Sequence, residues 1–269
     1  MCTLPAVPGP RAAARLARFA VGTAADDIPR QAMRAAHASM IDGFGVMLAG
    51  ISEPSAQIAR SYVEGLGGAP EATLAGSRLR VPAQAAAFAN GVAAHAHDFD
   101  DTQMSASPDR IYGLLTHPTP SALGAAHAAA EASASTGRAF LAAYAIGLEV
   151  SCRVCDAIDP FHYVRGFHTT GTIGVFGATA AAGRLLGLDV AQMRNAFGIA
   201  ASMAAGLRTA FGTMTKPLHA GRAAENGIAA ARLALAGFDG RDDVFENPRG
   251  FMTVMAASFD AKAAALVDD

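Results

Sequence analysis

Tryptophan is absent from the 269 residues, cysteine occurs three times, and only 16% of the residues are charged. Three cysteines do not make a disulfide framework, so the expected setting is a reducing cytoplasm. Cys152 and Cys155 form a C-x-x-C pair. A zinc or iron–sulfur centre needs further well-placed ligands, and Cys2 at the chain end is a weak one; buried small side chains are the simpler reading. With 21 basic and 23 acidic residues there is no basic field for nucleic acid. Arg, Asp, His or Gly interrupts every apolar stretch before it reaches membrane-spanning length, so no membrane partner is expected.

What the chain does have is alanine and a 52% hydrophobic content, enough to bury a substantial core in one large domain or two small ones. Arg11, Arg15 and Arg18 among alanines admit a transit-peptide reading, but Leu16, Phe19 and Ala20 share a helical face, which favours an ordinary first helix. A second helix opens at Ile28-Pro29 and runs to about Gly50, with Met33, Ala36, His37, Met40, Ile41 and Phe44 expected on its buried face. Further helices are expected from Pro54 to Gly65, Pro82 to His97, Pro120 to Ser135 and Gly137 to Asp156. After a loop come Thr172 to Gly187, Asp189 to Gly206, Pro217 to Gly237 and a shorter pair near the end. Proline near the starts and glycine near the finishes is the punctuation of helices. Thr73-Leu74-Ala75 is a weak strand candidate. Gly171, Gly174 and Gly177 lack the preceding strand and the spacing of a nucleotide loop, and read as small residues on a packed helix face. The fold class is therefore all-α.

Four segments look chemical. The first is His95-Ala96-His97-Asp98-Phe99-Asp100-Asp101-Thr102, where carboxylates crowd the end of a helix, the end that disfavours negative charge. It lacks the longer, glycine-containing alternation of a calcium loop. On its own it reads equally as a solvated loop. The others are His117-Pro118, Gly166-Phe167-His168-Thr169-Thr170 and Thr215-Lys216-Pro217-Leu218-His219. Each sets a titratable or cationic side chain beside a helix start, where free N–H groups and the dipole favour anions. Lys216 is unfavourable there unless an anion accompanies it. If these ends converge, they form a pocket for a substrate with several carboxylates. Arg208 and Arg222 are possible further carboxylate clamps, and equally possible surface charges.

In order along the chain, Asn90-Gly91, His95, Asp98-Phe99-Asp100-Asp101-Thr102, His117-Pro118, Gly147-x-Glu149-Val150, Gly166-Phe167-His168 with Thr170 and Gly174, Leu185-Leu186-Gly187-Leu188 and Lys216-Pro217-Leu218-His219-x-Gly221 resemble the MmgE/PrpD family. That family includes 2-methylcitrate dehydratase, cis-aconitate decarboxylase and iminodisuccinate epimerase. The resemblance implies a helical-bundle domain joined to a smaller α/β lid, a homodimer, a small polycarboxylate substrate, and no metal or organic cofactor. Residues 1–269 correspond to the helical domain. Family members continue through the lid, which adds a basic residue to the pocket, whereas this sequence ends at Asp268-Asp269. Either the lid comes from another chain, or this is a truncated helical domain without activity.

The expected site is Asp98, His117, His168 and Lys216 as catalytic residues, with Thr102, His219 and Arg222 binding substrate. The reaction is proton abstraction next to a carboxylate, with His117 and Asp98 as the proton-transfer pair and Lys216 and His168 holding carboxylates. Dehydration of a 2-methylcitrate-like acid is the first expectation; decarboxylation or epimerisation is the alternative. Within the family the stretch after Asp101-Thr102 varies, and here the segment from Gln103 to Thr116 is longer than the resemblance to a dehydratase or decarboxylase implies, which leaves the choice of substrate open.

Overall fold

A computed structural model describes residues 12–103, 115–158 and 160–256; most of the Gln103-to-Thr116 segment and the residues after 256 lie outside these. In chain order the helices are α1 (Ala12–Gly22), α2 (Arg30–Gly50), α3 (Pro54–Leu66), α4 (Ala83–Ala94), α5 (Pro118–Ala132), α6 (Gly137–Ala157), α7 (Phe161–Val164), α8 (Thr169–Leu185), α9 (Val190–Met203), α10 (Thr215–Leu235) and α11 (Phe251–Met255). Two two-residue strands, β1 (Ala72–Thr73) and β2 (Arg80–Val81), pair antiparallel between α3 and α4. The all-α class stands, and no helix among the described residues is long and apolar enough to cross a membrane.

Helices α4, α5, α8 and α10 pack on one another at the centre, with α1, α2, α3, α6 and α9 around them. Eleven of the twelve α4 residues and fifteen of the seventeen α8 residues are buried, so neither helix has a solvated face. Small side chains make this density possible. A Cβ on Gly91 of α4 would lie 2.9 Å from the Cα of Gly221 in α10, and one on Gly174 of α8 would lie 2.7 Å from Ser121 Oγ. The glycines of α8 are packing residues, as expected from the sequence.

Several boundaries differ from the sequence expectation for local reasons. Helix α4 stops at Ala94, short of His97, and His95 is its C-cap. Helices α5 and α8 begin earlier than expected, at Pro118 and Thr169, with His117 and His168 as their N-caps in extended conformation. Pro118 excludes the α conformation at His117. Helix α9 ends at Met203, three residues before Gly206, after starting on a capping box between Asp189 and Gln192. The buried face of α2 is rotated from the expected one. Ala36, Met40, Gly43, Met47 and Gly50 face the core, while His37 is exposed and Ile41 is 61% exposed. Of the expected shorter pair of helices near the end, the described residues contain α11.

Candidate active site

The chain leaves α4 at His95 and turns back on itself at Asp98, whose φ of 60° is left-handed. Aspartate is among the few non-glycine residues that accept this region. The turn carries Asp100 beneath the helix end, where it is 6% exposed, and its carboxylate meets two imidazoles there. His95 Nδ1 is 2.9 and 3.0 Å from the two oxygens, and His117 Nδ1 is 3.0 Å from Oδ2. Asp98 stays more open, with Oδ1 on the ammonium of Lys216 and 3.6 Å from His117 Nε2. Asp101 points the other way. It accepts from the backbone N–H of Thr119 (3.2 Å) and from Thr119 Oγ1 (2.7 Å), and so caps α5. Ser39 and Tyr144 extend that network, with hydroxyl contacts of 2.6 to 3.2 Å to Thr119 and each other.

The helix starts converge as the sequence suggested. His117 donates its backbone N–H to Thr170 Oγ1 at 3.1 Å, tying the start of α5 to that of α8. His168 N–H donates to Gly206 O at 3.0 Å, and Arg208 N–H to Gly166 O at 2.8 Å, tying α8 to the loop that leads into α10. Lys216 is the second residue of α10. The rings then form a contiguous series. His95 lies 4.7 Å from His117 and 5.9 Å from His168, and His168 lies 4.9 Å from Phe211. The Nδ1 atoms of His168 and His219 are 2.9 Å apart, so one donates and the other accepts. Lys216 Nζ sits 5.2 Å over the Phe211 ring. Beside this helix start Lys216 is paired with one anion from the chain itself, Asp98.

The electrostatics follow from these contacts. Burial raises the Asp100 carboxyl, but the hydrogen bonds and positive charge of His117 and His95 outweigh it and hold Asp100 well below the carboxylate range. Burial works against charge on His117 as well, yet its bond to Asp100 and the charges of Asp100 and Asp98 win over Lys216, and its pKa is raised. His168 goes the other way. Burial, then His95, His219, Lys216 and His117, push it down to about 2, so it is a neutral imidazole at physiological pH. His219 is lowered by burial and His95. Asp101 is raised, by burial first. Ligand atoms of His95, Asp98, Asp100 and His117 all lie within 4.8 Å of one another, a spacing a cation could use. Within the cluster Lys216 pairs with Asp98 and the two imidazoles with Asp100, while the buried Nε2 of His95 has no hydrogen-bond partner among the described residues.

Of the residues singled out in the sequence, Asp98, His117, His168, Lys216 and His219 come together. Thr102 is exposed, with Oγ1 3.4 Å from His117 Nδ1. Arg222 lies in a separate groove with Ile58, Tyr62 and Leu218, over the Phe88 ring at 4.9 Å and ion-paired with Glu225 at 2.6 Å. Arg208 is held 3.7 Å over the Tyr163 ring. Cys152 and Cys155 are pushed up by burial, with the Cys152 thiol at about 12, as suits packing residues. His95, Asp100 and Phe211 are the members that the sequence did not mark for a site role. Asp100 was hidden among look-alike acids, and nothing local distinguishes Phe211.

Several known proteins are similar to this chain. Cis-aconitate decarboxylase of Homo sapiens is 38% identical over 178 residues, which cover 64% of this chain and 35% of that protein. The Mus musculus cis-aconitate decarboxylase is 35% identical over the same length. A cis-aconitate decarboxylase-like protein of Aspergillus oryzae is 31% identical over 234 residues, 85% of this chain and 48% of that protein. The chain thus spans less than half the length of these curated relatives. The sequence pattern of the MmgE/PrpD N-terminal domain matches residues 14–264, and the chain accordingly belongs to the MmgE/PrpD family.

Proposed function

We propose that residues 1–269 act as the helical domain of a cofactor-independent lyase that decarboxylates cis-aconitate or a closely related unsaturated polycarboxylate. As the family resemblance implies, it works as a homodimer without a metal or organic cofactor, in the reducing cytoplasm that its three cysteines suggest. The observation that carries the reading is the meeting of His117, Asp98, Lys216 and His168 at three helix starts. The names of the relatives support decarboxylation over the 2-methylcitrate dehydration expected from sequence, a carbon–carbon rather than a carbon–oxygen cleavage.

Loss of carbon dioxide breaks one carbon–carbon bond and leaves its electron pair on the substrate. That pair is drawn toward the remaining carboxylates and quenched by one proton. Substrate and a proton become product and carbon dioxide, so the site needs a donor and anchors for the carboxylates. His117 is the donor, because its raised pKa favours the imidazolium, and Asp98 at its Nε2 is the group with which it exchanges the proton. Lys216 is the cation for a substrate carboxylate. His168, being neutral, binds by hydrogen bonding through Nε2, since its Nδ1 is committed to His219. Thr102 stands beside His117 to orient the substrate.

Incubation with cis-aconitate and with 2-methylcitrate, followed by mass analysis, tests this. Cis-aconitate should lose carbon dioxide, and Lys216→Ala should slow that loss by about a hundredfold or more. Loss of water from 2-methylcitrate in its place, or full turnover in Lys216→Ala, overturns the reading.

A further inference from the structure

We propose that Asp100 is a positioning residue, whose carboxylate, clamped between the Nδ1 atoms of His95 and His117, fixes His117 as the tautomer with Nε2 turned to Asp98. This rests on the acid–base reading of His117 given above.

An ionised carboxylate accepts hydrogen bonds and donates none, so each imidazole must offer it an N–H. Both do so through Nδ1. In the neutral ring of His117 the proton therefore stays on Nδ1, and the atom that gains and loses a proton is Nε2. That atom lies 3.6 Å from Asp98 Oδ1, beside Lys216. Without the clamp either nitrogen could carry the proton, and half of the ring's exchange would point into the core. The same division of labour, with a buried acid orienting the base it touches, operates in other acid–base sites.

His95 explains why Asp100 holds still. Its side chain is fully buried, and Asp100 is its hydrogen-bond partner while Nε2 has none among the described residues. Its backbone is the C-cap of α4, and its ring is wedged between those of His117 and His168. A buried carboxylate is costly to desolvate, and a neutral amide would serve a merely structural joint at less cost. Its charge has a use here because it lies against a proton donor. The other charged or titratable groups around His117 are Asp98 and Asp101 from the same turn, Lys216 from α10 and His168 from the start of α8. Of these, Asp98 and Lys216 address Nε2 or each other, and among the carboxylates of the described residues only Asp100 reaches Nδ1.

The test is imidazole nitrogen NMR on the chain with labelled histidine, without substrate. In wild type, neutral His117 and His95 should both carry the proton on Nδ1. In Asp100→Asn, where the negative charge is lost and one of the two acceptor oxygens becomes an NH2 donor, His117 should titrate at lower pH and lose part of its Nδ1–H population. The pH–rate profile for cis-aconitate should move in the same direction. A neutral His117 protonated on Nε2, or an Nδ1 stripped of its proton by a metal ion, overturns the proposal in wild type alone, even if the variant does not fold. So does an unchanged His117 titration in folded Asp100→Asn. Full turnover in His117→Gln would end the acid–base reading and leave the tautomer result standing, so the two failures are separable.

Discussion

Asp98, Asp100 and Asp101 are the same side chain three times within four positions, and each has a different task. Asp98 is turned outward by a left-handed backbone that costs on the order of 1 kcal/mol, and it holds Lys216. Asp100 is buried between imidazoles, and Asp101 caps a helix above the Ser39–Thr119–Tyr144 hydroxyls. Burial within that network pushes the Tyr144 phenol up to about 12. The imidazoles are divided in the same way, and their opposite shifts give a pH signature. His168, neutral in the fold, has a pKa near 2 against an ordinary value of 6.5. The unfolded chain takes up a proton on that ring as pH drops, and the folded chain does not. Its contribution to stability is therefore present above about pH 6.5 and is lost as pH falls toward the folded value. His117, with a raised pKa, behaves oppositely: its contribution is complete below its unfolded value and is lost as pH rises through the folded one. The thermal midpoint measured from about pH 7 down to about pH 5 should fall less steeply in His168→Asn than in wild type. Equal slopes would show that His168 titrates normally.

At the scale of the helix, the site depends on how closely α4 and α10 cross, because His95 ends one and Lys216 begins the other. A Cβ on Gly221 would lie 2.6 Å from Val92 Cγ2, and closer still to the Phe88 carbonyl, leaving no room for a side chain. Gly221→Val should destabilise the protein by about 1–3 kcal/mol in urea unfolding and lower turnover as well, since Lys216 and His219 ride on the displaced helix. Gly45, exposed within α2 and with nothing near its missing Cβ, is the control. Gly45→Ala should stabilise by roughly 0.5–1 kcal/mol and leave turnover alone. Equal effects at the two glycines would contradict the close crossing. Periodicity gave different amounts of information along the chain for a related reason. Helix α2 has a wet face and reads as amphipathic from sequence, although rotated by part of a turn. Helices α4 and α8 are buried all round, so no alternation of polar and apolar residues marks them, and proline, threonine and glycine punctuation located them instead.

Across the whole molecule, the segment after α10 is fastened by aromatic rings. Phe176 of α8 meets Phe245 and Phe251 at 4.9 Å each and Phe197 of α9 at 6.5 Å. His162 adds a polar stitch at the same corner, bonding Met255 O at 2.9 Å and Thr172 Oγ1 at 2.8 Å, and burial pushes its pKa down to about 4. Phe176→Ala should cost about 3–5 kcal/mol in denaturant unfolding, because three rings lose a shared partner and leave a cavity. A loss below about 1 kcal/mol would mean that the corner collapses and refills.

The all-α class, most helix starts, and the placing of His117, His168 and Lys216 beside those starts were legible in the sequence. Each rests on interactions within a turn or so of chain: the φ of proline, the αR exclusion before it, the caps. The assembly of the site was not local. Lys216 meets Asp98 across 118 positions, and His168 meets His219 across 51. Nothing near Asp100 distinguishes it from Asp98 until the left-handed turn carries one inward and leaves the other at the surface. The guanidinium fork of Arg222 made it a possible carboxylate clamp and equally a surface charge, and it lies over Phe88 and pairs with Glu225. Chain-neighbour physics determined which residues stand at the helix starts; the crossing of α4, α5, α8 and α10 decided which acid each base would meet.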